Sequence, residues 1–190
     1  MDAAPYATYT ILAITVAISL LALRGGDLFY RLALRPYEVR RGRLTGLLGH
    51  GFVHADMLHL AFNMFSLYFF APALESRMGS PLFAVLYLSG LIVAGIPTVL
   101  KHGSDPNYLS VGASGAVSAA IFSFIVFEPF AKIIIFPIPF PMPAMVFAGL
   151  YLLYSYFAAR RAEDVINHDS HFWGAVWGLV FTIAIFGWPF

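Results

Sequence analysis

Apolar residues fall in six long runs divided by polar segments that hold most of the charges. The pattern predicts long apolar helices over about 6–23, 57–74, 81–100, 112–127, 144–157 and 171–188. Segments of this kind suit a hydrocarbon layer about 30 Å thick, so the chain reads as an all-α membrane protein with six spans. A long connector, Arg24 to Asp56, holds six of the eleven Lys/Arg residues. The proline-rich stretch from Phe136 to Pro143 cannot be helical and is read as a connector. Arg160 to Ser170 forms a charged loop. Neither an internal repeat nor a second domain is evident, so residues 1–190 are expected to form one membrane domain.

Composition agrees with this division. The 190 residues are 60% hydrophobic and 11% charged, with a net charge of +1. So weak a charge argues against a nucleic-acid partner. The chain has no cysteine, which excludes disulfides, thiolate metal sites and cysteine nucleophiles. The first apolar run lacks a positive leader and a small-residue cleavage site, so it is expected to remain as a helix.

Chain parity places the polar residues. In six antiparallel spans, the second, fourth and sixth helices run in the same direction. Their first turns therefore lie at one membrane face. His59 and Asn63 belong to the start of the second span, Ser114 to that of the fourth, and His171 opens the sixth. Polar groups at membrane depth are costly, and a cluster of them points to chemistry.

Serine becomes a nucleophile when a base takes its proton, and histidine is the usual base. Ser114 lies between small residues, Gly112, Ala113 and Gly115, at a helix start. Gly174 and Gly178 follow His171 at three and seven residues, on one helix face that lets another backbone approach closely. Close approach is what a Ser–His hydrogen bond requires. His59 and Asn63, four residues apart, share a helix face and offer N–H donors. With the Ser114 amide they make a candidate oxyanion hole. No carboxylate is well placed to orient His171, since Asp169 is two residues earlier on the wrong side of a helix and Asp164 is on the loop, so a Ser–His dyad is expected rather than a triad.

Plainer readings compete. A serine in a membrane helix is usually a packing or back-bonding residue. Ser110, Ser118 and Ser123 are rival hydroxyls, but only Ser114 has small neighbours on both sides at a helix start. His59 and Asn63 could form an interhelical hydrogen-bond pair, and His168 with His171 could snorkel to the interface. A metal site built from His50, His54, Asp56 and His59 fits poorly, because no H-E-x-x-H is present and the group straddles a loop–helix boundary.

Together these segments resemble a known family. Gly112-Ala113-Ser114-Gly115 resembles the GxSG motif of rhomboid intramembrane serine proteases, and His59-Leu60-Ala61-Phe62-Asn63 their HxxxN element. His171 with Gly174 and Gly178 resembles their catalytic-histidine helix, and Glu75-Ser76-Arg77-Met78-Gly79 an E-x-R-x-G turn after the second helix. Gly51 to Asp56, leading into His59, is similar too. The resemblance implies a six-transmembrane-helix rhomboid-like bundle that hydrolyses peptide bonds in or beside transmembrane segments of membrane proteins. It implies Ser114 as nucleophile, His171 as general base, and His59 and Asn63 on the oxyanion side. Neither cofactor nor metal is implied, and the partners are the lipid bilayer and transmembrane substrates. The fifth helix and the loop before the sixth would act as gate and cap.

The resemblance also implies a multi-pass protein of a bacterial inner membrane, its active site opening to the extracytoplasmic side. That orientation puts nine of the eleven Lys/Arg residues outside, against the positive-inside tendency. Ser118 stands where many relatives carry an aromatic that packs on the histidine, and the first connector lacks a Trp-Arg pair. Two other classes compete: a rhomboid-like protein that binds membrane clients without cutting them, and a small transporter. The transporter would want charged residues or broken helices at mid-membrane.

Overall fold

The computed structural model of the chain describes residues 4–135, 138–161 and 167–188. Helices stand where the six apolar runs predict them: α1 (Tyr6–Leu23), α5 (Met57–Met78), α6 (Ser80–His102), α7 (Ser114–Phe127), α8 (Ala144–Arg161) and α9 (His168–Phe186). Four of them, α1, α5, α6 and α9, are long and apolar enough to cross a membrane by themselves. The protein is an all-α integral membrane protein apart from one short hairpin.

Helix α7 is the centre of the bundle. Ten of its fourteen residues are buried, against α5, α6 and α9. Small residues make this possible: Gly90 of α6 faces Ala116 and Ala119, and Gly174 and Gly178 of α9 meet the backbone at Gly115 and Ala119. Larger side chains, among them Leu67, Leu74, Phe83, Leu86 and Tyr87, fill the space between α5, α6 and α7.

The connectors hold more structure than their polarity suggests. Arg24 to Asp56 folds into three short helices, α2 (Leu28–Leu32), α3 (Pro36–Val39) and α4 (Gly46–Gly49), and a 3-10 turn at His50–Phe52. Part of the proline-rich connector is strand. Lys132–Ile135 (β1) pairs antiparallel with Ile138–Pro143 (β2), while Phe136 and Pro137 lie outside the described residues. Extended backbone is what proline accepts, so the non-helical expectation and the hairpin share one cause.

The charged loop is shorter than expected. Helix α8 continues to Arg161, and α9 begins at His168 because the Asn167 side chain caps it, accepting the Ser170 N–H at 3.1 Å. Asp164 lies outside the described residues.

At the end of the bundle away from Ser114, the Glu75-Ser76-Arg77-Met78-Gly79 turn ties four helices together. The Glu75 carboxylate is buried and accepts the Ala7 N–H at 2.9 Å, the Thr8 N–H at 2.7 Å, and the hydroxyls of Thr8 and Ser80. It thus caps α1 and pins the start of α6. Arg77 pairs with Glu128, just past the end of α7. Gly79 turns the chain between α5 and α6 with φ +82°, a conformation favouring glycine.

Candidate active site

Ser114 is the first residue of α7. A helix of 14 residues is about 21 Å long, short of a hydrocarbon layer of about 30 Å. Glu128, just past its far end, pairs with Arg77 near the end of α5. Gly115, the residue after the serine, packs against Ala94 of α6, and α6 runs on to His102, so Ser114 lies about two turns below the end of α6. Ser114 is partly buried there.

Three elements of the first connector fix the backbone that delivers Ser114. Leu34 and Ser110 exchange a pair of backbone hydrogen bonds, each 2.9 Å. The Gly112 N–H donates to the His50 carbonyl at 2.9 Å. The Ala113 N–H donates to His54 Nε2 at 3.3 Å. Two successive amides before the serine are thereby spent, so the Ser114 N–H is the first in this turn available to a ligand. Gly112 has φ +115°, and a Cβ there would lie 2.7 Å from His59 Nε2. Conformation and space both require glycine at this position.

Opposite Ser114 is the first turn of α9. A Cβ on Gly115 would come within 2.8 Å of the Ser170 hydroxyl oxygen, and Gly174 abuts the Gly115 carbonyl. Ser170 and Gly174 flank His171 in the chain, and Gly115 follows Ser114. The two helices thus meet with Ser114 and His171 on abutting first turns. Both are half-buried.

His59 and Asn63 complete the arrangement from α5. Asp56 caps that helix, its carboxylate accepting the His59 N–H at 2.8 Å. The capping bond commits Asp56 to helix initiation. The His59 ring lies against Gly112, and the His54 ring meets it edge-on with centroids 5.0 Å apart. Asn63 is buried and gives one N–H of its amide to the His59 carbonyl at 2.9 Å, leaving the second for another acceptor. All four residues singled out by sequence therefore lie at one end of the bundle.

The rival groups have other partners. Ser110 accepts from the Asn167 amide at 3.2 Å, Ser118 meets the Tyr151 hydroxyl at 3.1 Å, and Ser123 meets Thr182 at 2.5 Å. Asp169 is held by Lys101 at 3.0 Å. His168 is buried rather than reaching to an interface. Among the described residues no group of three acidic or histidine side chains is placed to hold a metal ion.

The sequence suggested no role for His50 and His54 beyond a poorly fitting metal site, although His54 lies in the Gly51–Asp56 stretch that resembles the family. Both are buried, and burial lowers the pKa of each. His54 is held down to about 3, with the neighbouring His59 acting in the same direction. His50 Nδ1 bonds the Gly46 carbonyl at 2.9 Å. The signal common to both was placement: two histidines in the nine residues before the His59 helix, each four or five residues from the next.

A family model described as the Rhomboid domain matches residues 41–188. RHOMBOID-like protein 12, mitochondrial, of Arabidopsis thaliana is 30% identical over 72% of this chain and 45% of its own length. Rhomboid protein 1, mitochondrial, of Saccharomyces cerevisiae is 25% identical over 84% of this chain and 44% of its own. YdcA of Bacillus subtilis, provisionally named a rhomboid protease, is 38% identical over 42% of this chain and 39% of its own. The chain thus spans less than half the length of these relatives. With proteins named as mitochondrial beside a bacterial one, the expectation of a bacterial inner membrane is not carried by these comparisons.

Proposed function

The chain belongs to the rhomboid family, and we propose that it is a serine endopeptidase cutting peptide bonds in or next to transmembrane segments of membrane proteins. The observation that carries this reading is the abutment of α7 and α9 at Gly115 and Gly174, which sets the turns of Ser114 and His171 against each other. In this reading His171 takes the Ser114 proton as Oγ attacks the scissile carbonyl carbon. The carbonyl oxygen becomes an oxyanion, met by the Ser114 N–H, the free N–H of Asn63 and a ring N–H of His59. Protonated His171 then gives its proton to the leaving amine, and the acyl-enzyme forms. Water, deprotonated by the same histidine, releases the acyl product and restores Ser114.

The recess at Ser114 supports access from one membrane face, which we assign to the extracytoplasmic side. A helical peptide bond is shielded by its own hydrogen bonds, so substrates need a segment that unwinds readily near the cut.

Fluorophosphonate labelling of the wild type, Ser114→Ala and His171→Ala in mild detergent tests this reading without a substrate in hand. Labelling of the wild type alone is expected. A folded wild type that takes no label, and retains membrane clients equally well as Ser114→Ala, would assign the chain to the non-cutting client binders.

A further inference from the structure

We infer that His54 is a positioning residue for Ser114 and His59: its imidazole sets the backbone that presents the nucleophile and fixes where the oxyanion-side ring stands. The inference rests on the proposed endopeptidase for its kinetic readout only.

The geometry is a directed chain of hydrogen bonds. The Ser19 hydroxyl of α1 donates to the Phe52 carbonyl at 2.9 Å, so its oxygen can accept from His54 Nδ1, also at 2.9 Å. With the proton on Nδ1, Nε2 carries a lone pair, and it is this nitrogen that faces the Ala113 N–H at 3.3 Å. Only one neutral tautomer satisfies both contacts. Ser19, His54 and Ala113 are all fully buried, so no water stands ready to replace either bond.

The consequence reaches two sides of the site. The Ala113 N–H belongs to the Gly112–Ala113 peptide, one unit before the one that carries the Ser114 N–H, so holding it fixes where the turn into Ser114 starts. On the other side the His54 ring packs edge-on against His59, which itself lies over Gly112. A histidine 60 residues before the nucleophile thus connects α1, the start of α5 and the start of α7. Removing its acceptor leaves the Ala113 amide buried and unmatched, and the peptide plane is free to rotate. Displacements near 1 Å cost about 10²-fold in rate.

Two near-isosteric substitutions separate positioning from bulk stability. In His54→Gln the amide group reaches the place of Nε2 and can accept from Ala113. In His54→Asn it reaches only the place of Nδ1, keeping Ser19 and losing Ala113. The expected order is His54→Gln within about tenfold of wild-type kcat and His54→Asn about 10²-fold below it, with KM unchanged in both. Equal kcat in two folded variants would overturn the inference, as would a loss confined to KM. A second readout does not depend on activity. Amide hydrogen exchange of Ala113 is expected to be slow in the wild type and in His54→Gln, and at least about tenfold faster in His54→Asn. Fast exchange of Ala113 in the wild type overturns the inference even if no variant folds. A wild type that is protected there yet takes no label fails only the endopeptidase reading.

Discussion

Gly174 lies on the carbonyl oxygen of Gly115, so close that a methyl group at 174 would overlap it. The contact joins the helices that carry Ser114 and His171 one residue past the serine and one turn past the histidine. Glycine is needed here for distance rather than for backbone conformation. Gly174→Ala is expected to push α9 outward, destabilising the fold by about 1–3 kcal/mol and lowering the labelling rate of the remaining folded protein by about 10²-fold. Gly178→Ala meets the Ala119 carbonyl in the same way one turn deeper. It should cost similar stability with a smaller loss of rate. Thermal unfolding and labelling kinetics on both variants separate the two effects.

Gly112 answers to a different constraint. Its φ of +115° is strained for any other residue, and the His59 ring occupies the space beside it. Gly112→Ala should therefore turn the His59 ring away and shift the peptide leading to Ser114. A backbone cost of about 1–3 kcal/mol is expected, together with a labelling rate near that of Ser114→Ala. Wild-type labelling by this variant would show that the loop before the serine has slack, contrary to the hydrogen bonds that fix it.

The order and parity of the helices were legible because apolar runs and their lengths follow from the membrane as solvent. The place of the candidate site was legible because Ser114, His171, His59 and Asn63 each fall in the first two turns of a helix, and parity brings those turns to one face. What sequence could not supply was the work of the connectors. His54 meets Ser19 across 35 residues and Ala113 across 59, and no periodicity announces such pairings. The β1–β2 hairpin was hidden by its prolines, which rule out helix without declaring strand. Helix α9 begins three residues earlier than its apolar pattern because a single Asn167 cap, not hydrophobicity, decides the start.

Asn63 offers a test of the oxyanion side. One of its amide N–H groups is bound to the His59 carbonyl, and the other is expected to meet the developing charge. Asn63→Ala should lower kcat by about 10²–10³-fold while KM stays within a few-fold, because the donor acts in the transition state. A change confined to KM would place Asn63 in substrate binding instead.

Glu75 marks the opposite case, a buried charge remote from the chemistry. Its carboxylate accepts from two backbone amides and two hydroxyls at the far end of the bundle. Glu75→Gln keeps the shape but turns one acceptor into a donor facing other donors. The expected result is a loss of about 1–3 kcal/mol in stability with the labelling rate per folded molecule unchanged. A slower rate at full folding would mean that the α1–α6 junction is coupled to Ser114.

Acid should act on the fold through the connector histidines. Burial keeps the His54 imidazole neutral, with its pKa down at about 3, whereas an unfolded histidine titrates near 6.5. Above pH 6.5 both states are neutral and the full stability is present. Between about 6.5 and 3 the unfolded chain binds a proton that the folded chain does not. Stability therefore falls with pH by about 1.4 kcal/mol per unit for this one group. His50, whose pKa burial also lowers, adds to the slope in the same direction. Unfolding midpoints in mild detergent at pH 7.5 and pH 5 should differ accordingly, with the lower value at pH 5. His54→Gln has no proton to take up at that position, so its midpoint should shift less between the two pH values. Equal shifts in wild type and variant would show that His54 exchanges protons freely in the folded state, and with that the single-tautomer chain from Ser19 to Ala113 would fall.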